Sequence, residues 1–289
     1  MAFAVDRSAS KHSPFIETIP DAGITVISSW IFNCYVVHDG GAGRPLVVDP
    51  GMTRNVDAAL SHLRGALGLD LGPADSASDR WPVAATHAHS DHVAALPHLQ
   101  SHASVAVHLP EVTRHWREGF KPPTPGMIEA SRMAPVLFDQ PFSWEALKGF
   151  IGEASVAGYG AGPYRMPVEV SGYLSDGDPV PDAPDWVALH APGHTLDSTC
   201  YWRESTRTLL SGDAVLSVGL QGWFNPEYVD AEAASATEDR LRKLDIELLL
   251  PGHGRPCAGH DVLGQAIGHL ERARGDHWLL RRFLRSHQG

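Results

Sequence analysis

The sequence predicts an α/β fold in four layers: two mixed β-sheets packed face to face, each flanked on its outer side by helices. Three observations carry that prediction. Short β-branched and aromatic runs recur along the chain, bounded by Gly, Pro and Asp turns. Runs of this kind are joined by helix-spaced apolar patterns in both halves, so each sheet has helices to cover it. Finally, His- and Asp-bearing segments follow several of the strand-like runs directly, which places their side chains at strand ends.

Composition sets the outer bounds. A chain of 289 residues with 43% apolar side chains can bury a full core. The formal charge of -11 is dispersed and no long Lys/Arg run occurs, which argues against a nucleic-acid partner. Cys34, Cys200 and Cys257 are too few and too scattered for a disulfide framework, so they are read as reduced thiols. The first residues lack a basic stretch followed by an apolar one, and no apolar run approaches the ~18 residues of a membrane span. The expectation is a cytoplasmic protein with a small-molecule substrate and no membrane partner.

Residues 1–22 are polar and without a clear period, and are read as an N-terminal arm preceding one domain over 23–289. Residues 24–27, 33–38 and 45–49 form a predicted β-meander, 55–63 a helix, and 82–85 a further strand. That strand runs into Thr86-His87-Ala88-His89-Ser90-Asp91-His92. In an extended segment, residues two apart point the same way, so His87 and His89 can close on one cation while Asp91 and His92, past a bend, address another. Ser90 is the expected N-cap of a short helix beginning at Asp91, and Pro97 opens the next turn.

Neutral imidazole suits zinc, and a carboxylate among nitrogens suits a divalent cation. A lone histidine pair in a chain with 17 histidines would be read as a polar loop. The pattern here is more restrictive, and three later segments add donors: Pro192-Gly193-His194, Ser211-Gly212-Asp213 and Pro251-Gly252-His253-Gly254. His190 is read as a strand-end surface residue, and His98, His102, His108 and His115 as solvated.

Residues of about 108–168 are rich in large apolar side chains, including Trp116, Phe120, Trp144, Phe150 and Tyr159. They are read as a cap insertion over the cleft, the alternative being a helical insertion with its own small core. Within it, 158–163 is expected to be a mobile loop. Strands are predicted over 168–170, 186–190, 198–202, 208–210 and 247–250, a helix over 231–244, and one long or two broken helices over 262–284.

The metal-loop segment and the three later ones, with Leu46-Val47-Val48-Asp49-Pro50-Gly51 before them, resemble the metallo-beta-lactamase superfamily of metal-dependent hydrolases across residues of about 24–255. The resemblance implies the metallo-beta-lactamase fold and two divalent ions, most simply zinc, with iron or manganese as alternatives. It implies His87, His89 and His194 on the first ion, Asp91, His92 and His253 on the second, and Asp213 bridging both. Two cations flanking one water lower its pKa from 15.7 toward about 7, giving a bridging hydroxide as nucleophile.

The catalytic residues expected are Asp91, to orient that hydroxide and move its proton, and Tyr228, to donate to the substrate carbonyl. Asp49 is expected to support the metal site from behind or simply to form a strand-end turn. An aspartate at 213 resembles glyoxalase-type thioesterases and lactonases rather than true beta-lactamases. The expected activity is hydrolysis of a small-molecule ester, thioester or lactone. The alternatives are an iron-dependent, sulfur dioxygenase-like redox enzyme, a phosphodiesterase or a beta-lactamase.

Overall fold

Alternation along the strands decides the layering. In β3 (Phe32–Val37), Cys34 and Val36 pack toward one core while Tyr35 and Val37 pack toward another. The same parity holds in β4 (Leu46–Val48), where Val47 faces away from Leu46 and Val48. Strands apolar on both faces need cover on both, which forces a buried sheet between two other layers.

The computed structural model describes residues 14–39, 44–66, 68, 80–160 and 162–273. Its first sheet is ordered β1-β2-β3-β4-β5-β6-β7, adding β1 (Phe15–Ile19), β2 (Ile24–Ser29), β5 (Trp81–Ala84), β6 (Val105–Pro110) and β7 (Gly172–Leu174). It is antiparallel from β1 to β4 and parallel from β4 to β7. The second sheet comprises β8 (Pro179–Val180), β9 (Ala183–His190), β10 (Thr199–Arg203), β11 (Thr208–Gly212), β14 (Leu248–Pro251) and β15 (Cys257–Ala258), in the order β15-β14-β11-β10-β9-β8. A separate hairpin joins β12 (Val215–Val218) to β13 (Gln221–Phe224).

The core between the sheets pairs Tyr35, Leu46 and Val48 with Trp186, Tyr201 and Leu250. Outside the first sheet lie α1 (Thr53–Gly65) and α3 (Leu96–His102), and outside the second lies α8 (Ala231–Leu241). The expected four-layer αββα sandwich is what forms. No helix among the described residues is long and apolar enough to cross a membrane.

Several expectations need correction. Within the arm expected over 1–22, Phe15–Ile19 is an edge strand with Phe15 opposite Ser28 and Ile19 opposite Ile24. Its exposure alternates along the strand, and Ile19 and Ala22 are buried in the inter-sheet core; residues 1–13 lie outside the described residues. No strand forms at 168–170. Val168 instead packs under the α1 layer, and pairing with β6 begins at Gly172, opposite His108. His108 itself is buried rather than solvated.

The helix expected after 262 does not form over 262–273. The carbonyls of Leu263, Gly264 and Ala266 accept from the Arg242 guanidinium, while Val262, Leu263 and Ala266 pack under α8. The remainder of that expectation, 274–284, lies outside the described residues.

Over the cleft, the insertion folds as four short helices: α4 (Thr113–Arg117), α5 (Met127–Ser131), α6 (Ala134–Asp139) and α7 (Trp144–Glu153). α6 and α7 share a core with the β12–β13 hairpin through Met133, Val136, Ala146, Leu216 and Trp223, whereas α4 packs Trp116 on Ala88 and Tyr159. Ser143 caps α7, its Oγ accepting from Ala146 N.

The sheets are also stitched together by polar groups. Asn33 Nδ2 donates to the carbonyls of Pro251 and Gly254, both at 2.8 Å, and its Oδ1 accepts from Ser28 Oγ at 2.6 Å. The Tyr35 hydroxyl donates to the Pro251 carbonyl at 2.6 Å. These bonds fix the segment that carries His253. Replacing Asn33 by Ala takes the amide from the Gly254 carbonyl and the Ser28 hydroxyl, leaving Pro251 only its Tyr35 bond, and should cost about 2 kcal/mol or more in urea unfolding. A loss under roughly 0.5 kcal/mol would show that water replaces the amide.

Candidate metal centre

Five strands end at one place. β4 ends at Asp49, β5 leads into the loop bearing His87 and His89, and β9, β11 and β14 lead into His194, Asp213 and His253. Because β4 and β5 run parallel, as do β11 and β14, their carboxyl ends open on the same side. Asp91 and His92 follow on α2 (Ser90–Val93), the first helical turn after the loop. The helix is not capped by Ser90 as expected. His89 occupies the N-cap position without a side-chain bond, and Ser90 Oγ donates to the carbonyls of Ala154 and Tyr159 in the cap.

The structure brings all seven expected metal ligands together. Donor atoms of His87, His89 and His194 lie within 4.8 Å of one another, as do those of His87, His92 and Asp213, and those of Asp91, His92 and His253. Asp213 connects these groups. Its Oδ2 is 3.1 Å from His253 Nε2, 3.5 Å from His194 Nε2 and 3.9 Å from His87 Nε2, and its Oδ1 is 3.4 Å from His92 Nε2.

Hydrogen bonds on the far side of each ring decide where the lone pairs point. His194 Nδ1 must donate to the Glu227 carbonyl at 2.8 Å, and His253 Nδ1 to the Ile31 carbonyl at 3.2 Å. His92 Nδ1 donates to Asp49 Oδ2 at 3.0 Å. Thr86 Oγ1 gives its proton to Asp49, so it can only accept from His87 Nδ1. In the neutral rings, these four Nε2 atoms therefore present lone pairs inward. His92 Nε2 and Asp213 Oδ1 are buried without a hydrogen-bond partner. Converging unprotonated nitrogens around orphaned polar atoms fit a cation and little else.

Electrostatics agree. Burial, then the neighbouring imidazoles, hold His87 well below its ordinary value and push His89 down to about 3, so both are neutral donors. Burial acts against the charge on Asp213, yet His253 and His92 hold its carboxyl well below the usual range. Conversely, burial lowers His253 while Asp213 and Asp91 outweigh it and raise the ring to about 10. The buried carboxylates thus draw positive charge into the site, which a divalent cation supplies directly.

Behind the donors stand two further carboxylates. Asp49 accepts from Thr86 N and Thr86 Oγ1, both at 2.7 Å, as well as from His92. It adopts a left-handed backbone with φ of 50°, unusual for a residue with a side chain. The supporting role expected for it is thus seen in its contacts. Asp197 was not anticipated: its Oδ2 accepts from Ala88 N at 2.7 Å and its Oδ1 from the Tyr159 hydroxyl at 3.2 Å. Burial raises its carboxyl to about 6. Its place three residues after His194 was the only sequence signal available.

The donors open onto a cavity of about 890 Å³ walled by Trp30, Phe32, Met133, Leu137 and Phe150, among others. Tyr228, expected beside the substrate carbonyl, is not among the lining residues. Its ring packs on the Arg132 guanidinium and edge-on to His269. The tyrosine that does line the cavity is Tyr159, with its ring centroid 4.5 Å from that of His89.

The segment holding Tyr159 is also less free than the mobile loop expected over 158–163. Tyr159 N donates to the Ala88 carbonyl at 3.0 Å, and Ser90 N donates to the Tyr159 carbonyl at 3.2 Å. Gly158 sits at φ of 85°, where a Cβ would come within 2.7 Å of the Ala88 oxygen. Of the cap aromatics, Phe150 faces the cavity, whereas Trp144 is 67% exposed and does not.

Comparison with known proteins agrees with this geometry. The chain is 25% identical over 259 residues to the probable metallo-hydrolase YflN of Bacillus subtilis, covering 82% of this chain and 86% of that one. It is 29% identical over 252 residues to the acyl-coenzyme A thioesterase MBLAC2 of Gallus gallus, covering 81% and 76%. Among solved structures, TTHA1623 in a di-iron-bound form matches with a TM-score of 0.50 at 22% identity, over 83% of this chain and 94% of that one. The family model for the metallo-beta-lactamase superfamily matches residues 31–253, nearly all of the span that carries the strands and donors described above. The chain belongs to the metallo-beta-lactamase superfamily and is an enzyme of its metallo-hydrolase type, with a His/Asp cluster capable of binding metal.

Proposed function

We propose that this enzyme is a dinuclear metal hydrolase acting on an ester, thioester or lactone of a small, partly apolar molecule. One observation carries the reading: five imidazoles and two carboxylates converge at the floor of a cavity whose walls are largely apolar. His87, His89 and His194 would hold one cation, Asp91, His92 and His253 the other, and Asp213 both. When bound, the ions would supply a water ionised near neutral pH and polarise the carbonyl under attack. Zinc fits these donors, and iron or manganese would use the same set.

The chain's own residues do the rest. Asp91 lines the cavity, and its side chain, at 17% exposure, is more open than that of Asp213, at 3%. It is the carboxylate able to carry a proton from the attacking water to the leaving atom. His253 Nε2, 3.1 Å away, holds it in place. Phe32, Leu137 and Phe150 supply apolar area for the acyl portion and exclude water from the donors. The thioesterase relative favours a carbonyl substrate with a sulfur leaving atom. A redox reading is the alternative because the same donors suit iron, and iron content accompanied by oxygen consumption would displace the hydrolase reading.

Elemental analysis of purified protein should find about two metal ions per chain, and chelation should lower Tm by roughly 5 °C or more, since a ligand bound only to the native state stabilises it. Unchanged melting after complete chelation would mean the cluster holds no stabilising ion. Asp91→Ala should reduce kcat by a factor of about 100 or more while the His87, His89 and His194 group keeps its ion. An Asp91→Ala enzyme of near-normal rate would remove the proton-transfer role. On a series of acyl lengths, Phe150→Ala should shift the preferred length, and Trp144→Ala should leave it unchanged; the reverse pattern would show that the acyl chain lies elsewhere.

A further inference from the structure

A second cavity, of about 560 Å³, opens beside the first, and the two share Thr124, Gly160, Gly162 and Pro163 as a common wall. Both volumes fall in the range of small-molecule sites. The side cavity differs in chemistry. Trp116, Phe120, Tyr164 and Lys121 line it, and no carboxylate does.

Trp116 is anchored edge-on against Tyr159 at 4.9 Å and Tyr164 at 5.8 Å. Phe120 is 66% exposed, with only an edge contact to His115 at 6.2 Å among its recorded ring contacts. Lys121 forms no ion pair among the described residues. Neither does Arg165, the only Lys or Arg on the main cavity, whose guanidinium reaches the Ser155 carbonyl at 3.4 Å. The neighbouring Glu118 carboxylate faces His115 at 3.7 Å instead. In a chain of net charge -11, the side cavity therefore carries a lysine that no carboxylate pairs among the described residues.

We propose that the side cavity is the subsite for the leaving group, and that this group is an aromatic ring carrying phosphate, as at the nucleotide end of a thiol. The inference rests on the ester or thioester reading of the main cavity. The acyl chain stays among apolar walls that would not tolerate phosphate. The ring stacks on Phe120, and the phosphates pair with Lys121. The connecting arm crosses at Gly160 and Gly162, where even an added Cβ would meet nothing within 4 Å.

Two readouts separate the inference from the reading beneath it. Calorimetric titration of metal-replete protein with adenosine 3′,5′-bisphosphate, which has ring and phosphates but no scissile acyl bond, should show one site. Its affinity should fall about tenfold in Phe120→Ala, the scale of one lost ring stack, and about tenfold in Lys121→Gln. Equal affinity in both variants would place the probe on the metals, and no binding would mean there is no subsite; either overturns the inference.

In kinetics, the same acyl chain is offered on coenzyme A and on N-acetylcysteamine. The wild type should prefer the first by about tenfold in kcat/KM, and both variants should lose that preference through KM with kcat kept. Equal cleavage of the two thioesters by wild type also overturns the inference. If the probe binds and weakens as stated but neither thioester nor any other ester is cleaved, the hydrolase reading fails and the subsite stands.

Discussion

A carboxylate has been taken out of water at the centre of this protein, and much of the architecture near it can be derived from that cost. Asp213 is nearly inaccessible, yet four imidazole nitrogens approach it within 3.9 Å. Burying such a charge is tolerable only with compensation on every side. The compensation comes from the ends of three strands, β5, β9 and β14, so they must converge on the end of β11, and the convergence leaves no room for side chains between them. A Cβ on Gly252 would overlap the Asp213 carboxylate, and one on Gly212 would overlap Thr86. The register between β11 and β14 shifts between Leu210 and Gly212, and there the chain turns Asp213 toward the donors.

Around that centre, Asp49 and Asp197 play parallel roles on opposite sides of the metal loop. Asp49 fixes Thr86 and His92, and Asp197 fixes Ala88 and Tyr159. Between them the amides of Thr86 and Ala88 are held by carboxylates while their carbonyls accept from the Thr199 and Tyr159 amides, so His87 and His89 project from a segment with little freedom to relax. The left-handed backbone of Asp49 stores strain of about 1 kcal/mol or more, which three hydrogen bonds to its carboxylate offset.

This division explains what the sequence disclosed. Residues close together in the chain, from His87 to His92, announced themselves by spacing, and the strands of both sheets by their β-branched runs. The distant donors were legible because each sits in a short Gly-containing segment after a strand. What stayed hidden depends on long-range contact. Asp197 lies 109 residues from the amide whose hydrogen bond it accepts, and only its place three residues after His194 marks it. Tyr159 reaches His89 only because the insertion folds back, while Tyr228, favoured by its position after Asp213, turns toward Arg132. No helix forms over 262–273 for a related reason: the apolar spacing is real, but Arg242 claims the carbonyls from another element.

The insertion's attachment constrains how the cleft can work. At one end Tyr159 is hydrogen-bonded to Ala88 and Ser90, and Gly158 beside it pairs with Arg165, so that end of the cap and the metal loop form one unit. Moving Tyr159 would disturb the backbone on either side of His89. The opposite end is different. α5 carries Met127 and Ile128, 91% and 71% exposed, and buries no residue. The least anchored wall of the cavity is therefore α5, which lines it through Ala130 while its apolar surface faces water. The metal side is pinned by the Tyr159 bonds, which is the condition for donors that must already be in place when a substrate arrives.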